Sequence, residues 1–440
     1  MKSVLAAVCA SILTLAGCGR ETAPVEDRGS AQTSAQTEPA PPAPAWDPAP
    51  VDTTLQAFVD DGRAVGVSAL VWKGGEEVYF GAFGQRDRES GEPMTRDTIA
   101  VIFSMTKPVT GVALMQFYEQ GRFDLDDPIA KYLPELADLK VWGGLDANGE
   151  PVLVEPERPP TVRDFTRHTA GLYDGDEVPE LGALIKAANP LDFTGTLTQF
   201  AERLGTVPLL YQPGTRWLYG MSVDVQAALV ERLAGQPFGE YVQANILTPL
   251  DMRDTGYYVP EEKRDRLAAQ YQRDGEDDPL LRIPDEGILH IYLHRMTLTP
   301  GGFGLTSTLD DYMRFARMLQ NEGELDGARI LAPETVRLMA TDHLPDTVED
   351  RSWLPSKGQV GFGIDFAVRV APPASTEENM GAVGEFFWDG AASTLFWVDP
   401  ANDLAAVFFV QRMPFDGTLH KDFRDAVYAA IGMTYDPGQN

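Results

Sequence analysis

Apolar runs of strand length stand near both ends of the chain. Residues 65–84, VGVSALVWKGGEEVYFGAFG, hold two β-rich runs on either side of Lys73-Gly74-Gly75, the pattern of a hairpin. Residues 393–412, STLFWVDPANDLAAVFFVQR, repeat it around the turn from Asp399 to Asp403. Most of the chain between them has helical or loop spacing. In STLDDYMRFARMLQNEG, residues 307–323, Ser307 and Asp310 have capping-box spacing, Tyr312, Phe315 and Leu319 share one face, and Gly323 follows the end. Residues 222–235, SVDVQAALVERLAG, predict a second helix with Ser222 as N-cap and Gly235 as its stop. The expected fold is α+β: an antiparallel sheet built from N- and C-terminal strands and flanked by helices, plus an inserted, mainly helical lobe. The sheet lobe is expected at about 51–100 and 355–440 and the helical lobe at about 101–354. A last helix candidate, HKDFRDAVYAAIGM at 420–433, is placed to cover one face of the sheet.

The extreme N-terminus differs in kind. Residues 1–17, MKSVLAAVCASILTLAG, give one positive charge, a short apolar run and then small residues. The run is too short to cross ~30 Å of hydrocarbon, which marks a signal peptide. Leu15-Ala16-Gly17-Cys18 resembles the lipobox of bacterial lipoproteins, which implies cleavage before Cys18 and lipid on that cysteine. Export and membrane anchoring through Cys18 are therefore expected, with the outer membrane favoured by Gly19. From Gly19 to Pro50 large apolar residues are almost absent, so residues 18–50 read as the lipidated cysteine and a disordered tether, with the folded domain at 51–440. The other cysteine, Cys9, leaves with the signal, so no disulfide is available and the core must supply stability. The formal charge of −30 is scattered, and no basic stripe exists to meet phosphates, which argues against a nucleic-acid partner.

The candidate chemistry lies in VIFSMTKPVTG, residues 101–111. Behind Pro108 runs VTGVALMQFYEQG, apolar on nearly every side, as in a buried helix. Proline is tolerated only in the first turn, so the helix starts at or just before Ser104. Ser104 and Lys107 then share a face with Cβ atoms ~5–6 Å apart, and the serine sits where the helix dipole favours a developing oxyanion. A desolvated lysine can take the proton of such a hydroxyl. Spacing alone is weak, since a capping serine beside a surface lysine has the same form.

Several longer motifs, in order, resemble the serine β-lactamase and penicillin-binding superfamily in its class C and esterase (family VIII carboxylesterase) branch. They are FSMTKPVTGVALMQFYEQGRFDLDDPIAKYLPE, TVRDFTRHTAGL, PGTRWLYGMSVDVQAALVERLAG, GGFGLTSTLDDYMRFARMLQNEGELDGARIL, GFGIDFAV and WDGAASTLFWVDP, spanning about Ala57 to Ile431. The resemblance implies a transpeptidase-like fold. Ser104 would be the acylated nucleophile, Lys107 its proton partner, and Tyr219 the phenol that works with the lysine. Trp388-Asp389-Gly390 matches the third motif on the strand lining the cleft, and the backbone N–H groups of Ser104 and Ala391 would form the oxyanion hole. His168 matches a structural position. His290 and His294 have i,i+4 spacing but no third ligand, so packing rather than metal binding is expected, and no cofactor is implied.

Two departures bear on substrate. Met221 replaces the asparagine of the lactamases' Tyr-x-Asn, and Trp388-Asp389 stands where their Lys-Thr-Gly carries a cation. Both favour a neutral ester over a carboxylate-bearing lactam; Asp389 departs even from the tryptophan-glycine-glycine of the esterases. The expected activity is hydrolysis of carboxylic esters through an acyl-serine, on a small-molecule ester or amide. A β-lactamase or D-alanyl-D-alanine peptidase, and a non-catalytic surface protein of the same fold, stay open as alternatives.

Overall fold

Strand β1 (Gly66–Lys73) turns through Gly74 and Gly75, both at positive φ, into β2 (Glu76–Asp87), and β3 (Glu92–Pro93) follows. The remaining strands of the sheet come from the other end of the chain: β4 (Val360–Phe362), β5 (Ala367–Arg369), β6 (Phe386–Asp389), β7 (Leu395–Asp399) and β8 (Leu404–Val410). They form one eight-stranded antiparallel sheet in the order β4-β5-β6-β7-β8-β1-β2-β3. The two termini meet at the β8–β1 seam, where Val67 pairs with Val410 and Trp72 with Ala405. This computed structural model describes residues 46–173, 175, 178–275, 278–348 and 359–435. The expected signal peptide (residues 1–17), the lipidation site Cys18 and the expected tether up to residue 45 lie outside the described residues.

Both faces of the central strands are covered, which is why LAAVFFV and LFWVD are buried throughout. Side chains alternate between the faces. Phe396 meets Tyr312 and Phe315 of a helix on one side, and Trp397 meets Phe423 and Tyr428 of the C-terminal helix on the other. Helix α1 (Ala49–Asp60) shares the second side, with Phe58 against Phe408. Between the halves of the sheet lie α2 (Thr106–Glu119), α3 (Ser222–Ala234) and α4 (Leu309–Gln320), and the chain ends with α5 (Gly417–Ala430). None of the described helices is long and apolar enough to cross a membrane.

Several boundaries differ from expectation. Residues 46–50, assigned to the tether, belong to the folded body: Trp46 packs 6.0 Å from the Tyr79 ring, Asp47 N–H donates to Ala430 O, and α1 begins at Ala49. The cap of α4 is Thr308, whose hydroxyl accepts from Asp311 N–H, because Ser307 is still extended and paired with Ala100. Ser222 is the first residue of α3 rather than its cap, whereas Gly235 ends that helix in the left-handed region as expected.

A candidate active site at the start of helix α2

The chain enters α2 through a single 3₁₀ turn, Phe103–Met105. Three hydrogen bonds fix that turn. Ile102 N–H donates to Leu305 O (3.2 Å), the fully buried Tyr312 hydroxyl donates to Met105 O (2.7 Å), and Leu305 N–H donates to Thr106 Oγ1 (3.2 Å). Pro108 falls in the first turn of α2, where its missing N–H costs no intrahelical bond. The helix is buried from Thr106 to Met115, so both Ser104 and Lys107 are carried on a rigid element.

Lys107 is 5 % exposed, and its Nζ donates to Ser104 Oγ (3.1 Å) and to Gly302 O (2.7 Å). It also lies 4.5 Å from the centre of the Tyr219 ring, within cation–π range. Tyr219 is held on several sides. Trp217 stacks beside it at 5.9 Å, His168 lies at 4.9 Å, and Trp388 sits at 5.4 Å and donates its Nε1–H to the Tyr219 hydroxyl (3.3 Å). Serine, lysine, phenol and the tryptophan of β6 thus meet in one place, although 284 positions separate Ser104 from Trp388.

His168 is wholly buried among Trp217, Tyr219 and Phe362. Burial, reinforced by the nearby Lys107 charge, holds its imidazole well below the ordinary histidine range. It is therefore neutral near pH 7 and serves as a platform, and its carbonyl accepts Leu218 N–H (2.8 Å) to fix the segment that presents Tyr219.

Gly390 follows β6 because nothing larger fits. A Cβ there would stand 2.5 Å from Ile102 O and 2.3 Å from Thr394 Oγ1. The missing side chain lets the end of the strand touch the turn that carries Ser104, and the half-buried Ala391 comes next. One residue expected at the cleft is placed elsewhere. Asp389 alternates away from Trp388 and turns to the α5 side, with Oδ2 4.0 Å from His420 Nδ1. Met221 is 4 % exposed and joins the core at the start of α3. His290 and His294 are exposed, with rings 4.5 Å apart, so they are not core residues as expected; among the described residues no group of three metal-ligating side chains exists. The Gly302 carbonyl escaped the sequence reading because a backbone acceptor leaves no side-chain signature, although Gly301-Gly302 stood in a quoted motif.

A protein-family model described as Beta-lactamase matches residues 51–430. The chain belongs to the beta-lactamase family. Its relatives there include Protein Rv1367c of Mycobacterium tuberculosis, 36 % identical over 82 % of this chain and 89 % of that one. Esterase EstB of Burkholderia gladioli is 30 % identical over 86 % of this chain and 94 % of its own. Among solved structures, EstCE1, titled a hydrolase with promiscuous acyltransferase activity, superposes with a TM-score of 0.71 at 27 % identity, covering 86 % of this chain and 98 % of that one. Within this fold the site lies where the end of β6 meets the 3₁₀ turn and the start of α2.

Proposed function

We propose that this protein is a serine hydrolase of carboxylic esters working through an acyl-serine intermediate. The observation that carries the reading is Lys107 Nζ, buried and 3.1 Å from Ser104 Oγ, with the Tyr219 ring over it. Once the Lys107–Tyr219 pair has released one proton, it accepts that of Ser104 as Oγ attacks the ester carbonyl. The N–H groups of Ser104 and Ala391 receive the oxyanion, and the leaving alkoxide takes the proton back as the C–O bond breaks. Water then gives a proton to the same pair and adds to the acyl carbon, and Ser104 Oγ leaves with that proton.

An ester is favoured over a carboxylate-bearing lactam because no lysine stands at the Trp388-Asp389 position to bind the anion. The relatives support the ester reading, since EstB is named an esterase and EstCE1 a hydrolase that also transfers acyl groups. The mature chain would be held on the membrane by lipid at Cys18, facing the periplasm or the cell surface. Mass spectrometry after fluorophosphonate treatment tests the chemistry: Ser104 is labelled in the wild type and Ser104→Ala takes up no label. Turnover of a short-chain p-nitrophenyl ester, set beside a chromogenic cephalosporin, tests the substrate class. Turnover of the lactam alone, or an unlabelled Ser104, refutes the reading.

A further inference from the structure

Lys107 depends on a carbonyl that is itself held from the opposite side. Its acceptor, Gly302 O, belongs to a loop wedged between α2 and α3. On the α2 side, Thr110 Oγ1 donates to Gly301 O (2.8 Å) and Lys107 Nζ to Gly302 O (2.7 Å). On the α3 side, Asp224 Oδ1 accepts Gly302 N–H (2.9 Å). The loop has no room to retreat. A Cβ on Gly301 would lie 2.3 Å from Val223 O and 2.8 Å from Ala227 Cβ, and one on Gly302 would lie 2.9 Å from Asp224 Oδ2.

Asp224 is 2 % exposed, in the first turn of α3. Burial raises its carboxyl above the usual range, while Gly302 N–H and the Lys107 charge pull it back. A carboxyl so deeply buried is costly to retain, and an apolar side chain would fill the volume more cheaply. What an apolar side chain could not do is accept the N–H of Gly302.

We infer that Asp224 is a positioning residue for the reaction: by holding Gly302 from the α3 side, it fixes the carbonyl that aims the Lys107 amine at Ser104. A lysine on a flexible four-carbon stem needs such a fixed acceptor to keep its amine within reach of the serine. The inference rests on the hydrolase reading above.

Asp224→Ala, Asp224→Asn and Thr110→Val separate positioning from bulk stability. Turnover of p-nitrophenyl butyrate is measured per Ser104 site titrated with fluorophosphonate, and thermal unfolding is followed in parallel. A purely structural role lowers the titratable fraction and the melting temperature but leaves kcat per titrated site alone. Asp224→Ala is expected to lower that kcat about 10- to 100-fold with KM within about twofold. Asp224→Asn keeps an oxygen for Gly302 N–H and returns kcat to within about threefold of wild type. Thr110→Val, which loosens the loop from the α2 side, lowers it about three- to tenfold. The inference is overturned if Asp224→Ala stays within threefold, or if Asp224→Asn is as impaired as the alanine variant. Should Asp224→Ala not fold, an unchanged kcat in Thr110→Val overturns it. A wild type that is neither labelled nor active removes the hydrolase reading and this inference with it. A labelled, active wild type with unaffected variants removes this inference alone.

Discussion

Tyr219 illustrates how much one hydroxyl can be asked to do. Its ring is fixed by Trp217, His168 and Trp388, so removing only the oxygen leaves the packing in place. Tyr219→Phe also deletes the acceptor of the Trp388 Nε1–H bond, so the melting temperature is expected to fall by a few degrees in a protein that still folds, while kcat/KM for a p-nitrophenyl ester falls about 10²- to 10⁴-fold, the range for a lost acid–base group. A loss under threefold would remove the phenol from the chemistry. Gly390 makes a steric argument at the same scale. In Gly390→Ala the new methyl would meet the backbone oxygen of Ile102 at 2.5 Å, and backbone cannot rotate aside. The end of β6 must shift from the Ser104 turn, so kcat should drop at least tenfold in a protein that still unfolds cooperatively. Of these residues, Ser104, Lys107, Tyr219 and Trp388 were legible because each stands in a motif with a recognisable order. Asp389 was misplaced because its orientation depends on strand alternation, which a motif does not encode.

At the scale of elements, α4 ties the site to the helices. Its Tyr312 holds the 3₁₀ turn, and its Asp311 accepts Asp254 N–H (2.7 Å) and Thr255 Oγ1–H (2.9 Å). Burial raises the Asp311 carboxyl from 3.8 to about 6, offset in part by those two donors. Its sign of linkage is that of an acid disfavoured by folding. Between pH 4 and 6 the unfolded chain ionises this group while the folded chain keeps it protonated, so its contribution to stability falls as pH rises and levels off above about 6. Asp311→Asn removes that slope. Chemical denaturation across this range should show the stability of the variant gaining on wild type by on the order of 2 kcal/mol from pH 4 to 7. A constant difference would mean the carboxyl titrates alike in both states. The helix itself was readable from Tyr312, Phe315 and Leu319, but its cap was placed one residue early. Capping-box spacing cannot reveal that Ser307 is spent on a strand pair with Ala100.

At the scale of the whole molecule, the described residues are organised on an open sheet in which β8 from the C-terminal part pairs with β1 from the N-terminal part, and that architecture was open to inspection from two hairpin patterns 328 positions apart at their starts. The all-round burial of β7 and β8 followed once helices covered both faces, whereas the strand order was not encoded in any local pattern. Nor was the wedge of Gly301-Gly302 between α2 and α3, since it requires three elements distant in sequence to converge. Charge acts at this same scale. The full sequence carries a formal charge of −30, Lys107 is buried, and no cation stands at the Trp388-Asp389 position. An anionic ester approaching the cleft should therefore be repelled over a distance set by ionic strength. Raising salt from about 10 mM to about 1 M shortens the Debye length from about 30 to about 3 Å. The ratio of kcat/KM for mono-p-nitrophenyl suberate, whose carboxylate is too distant to attack its own ester readily, to that for the neutral butyrate should rise severalfold over this range, with the butyrate value nearly constant. Taking the ratio cancels any effect of salt on the protein or on the chemical step, because both esters share the leaving group and the acyl-serine route. A flat ratio would mean that the acidic surface does not reach the cleft, and the preference for neutral substrates would then have to come from contacts inside it.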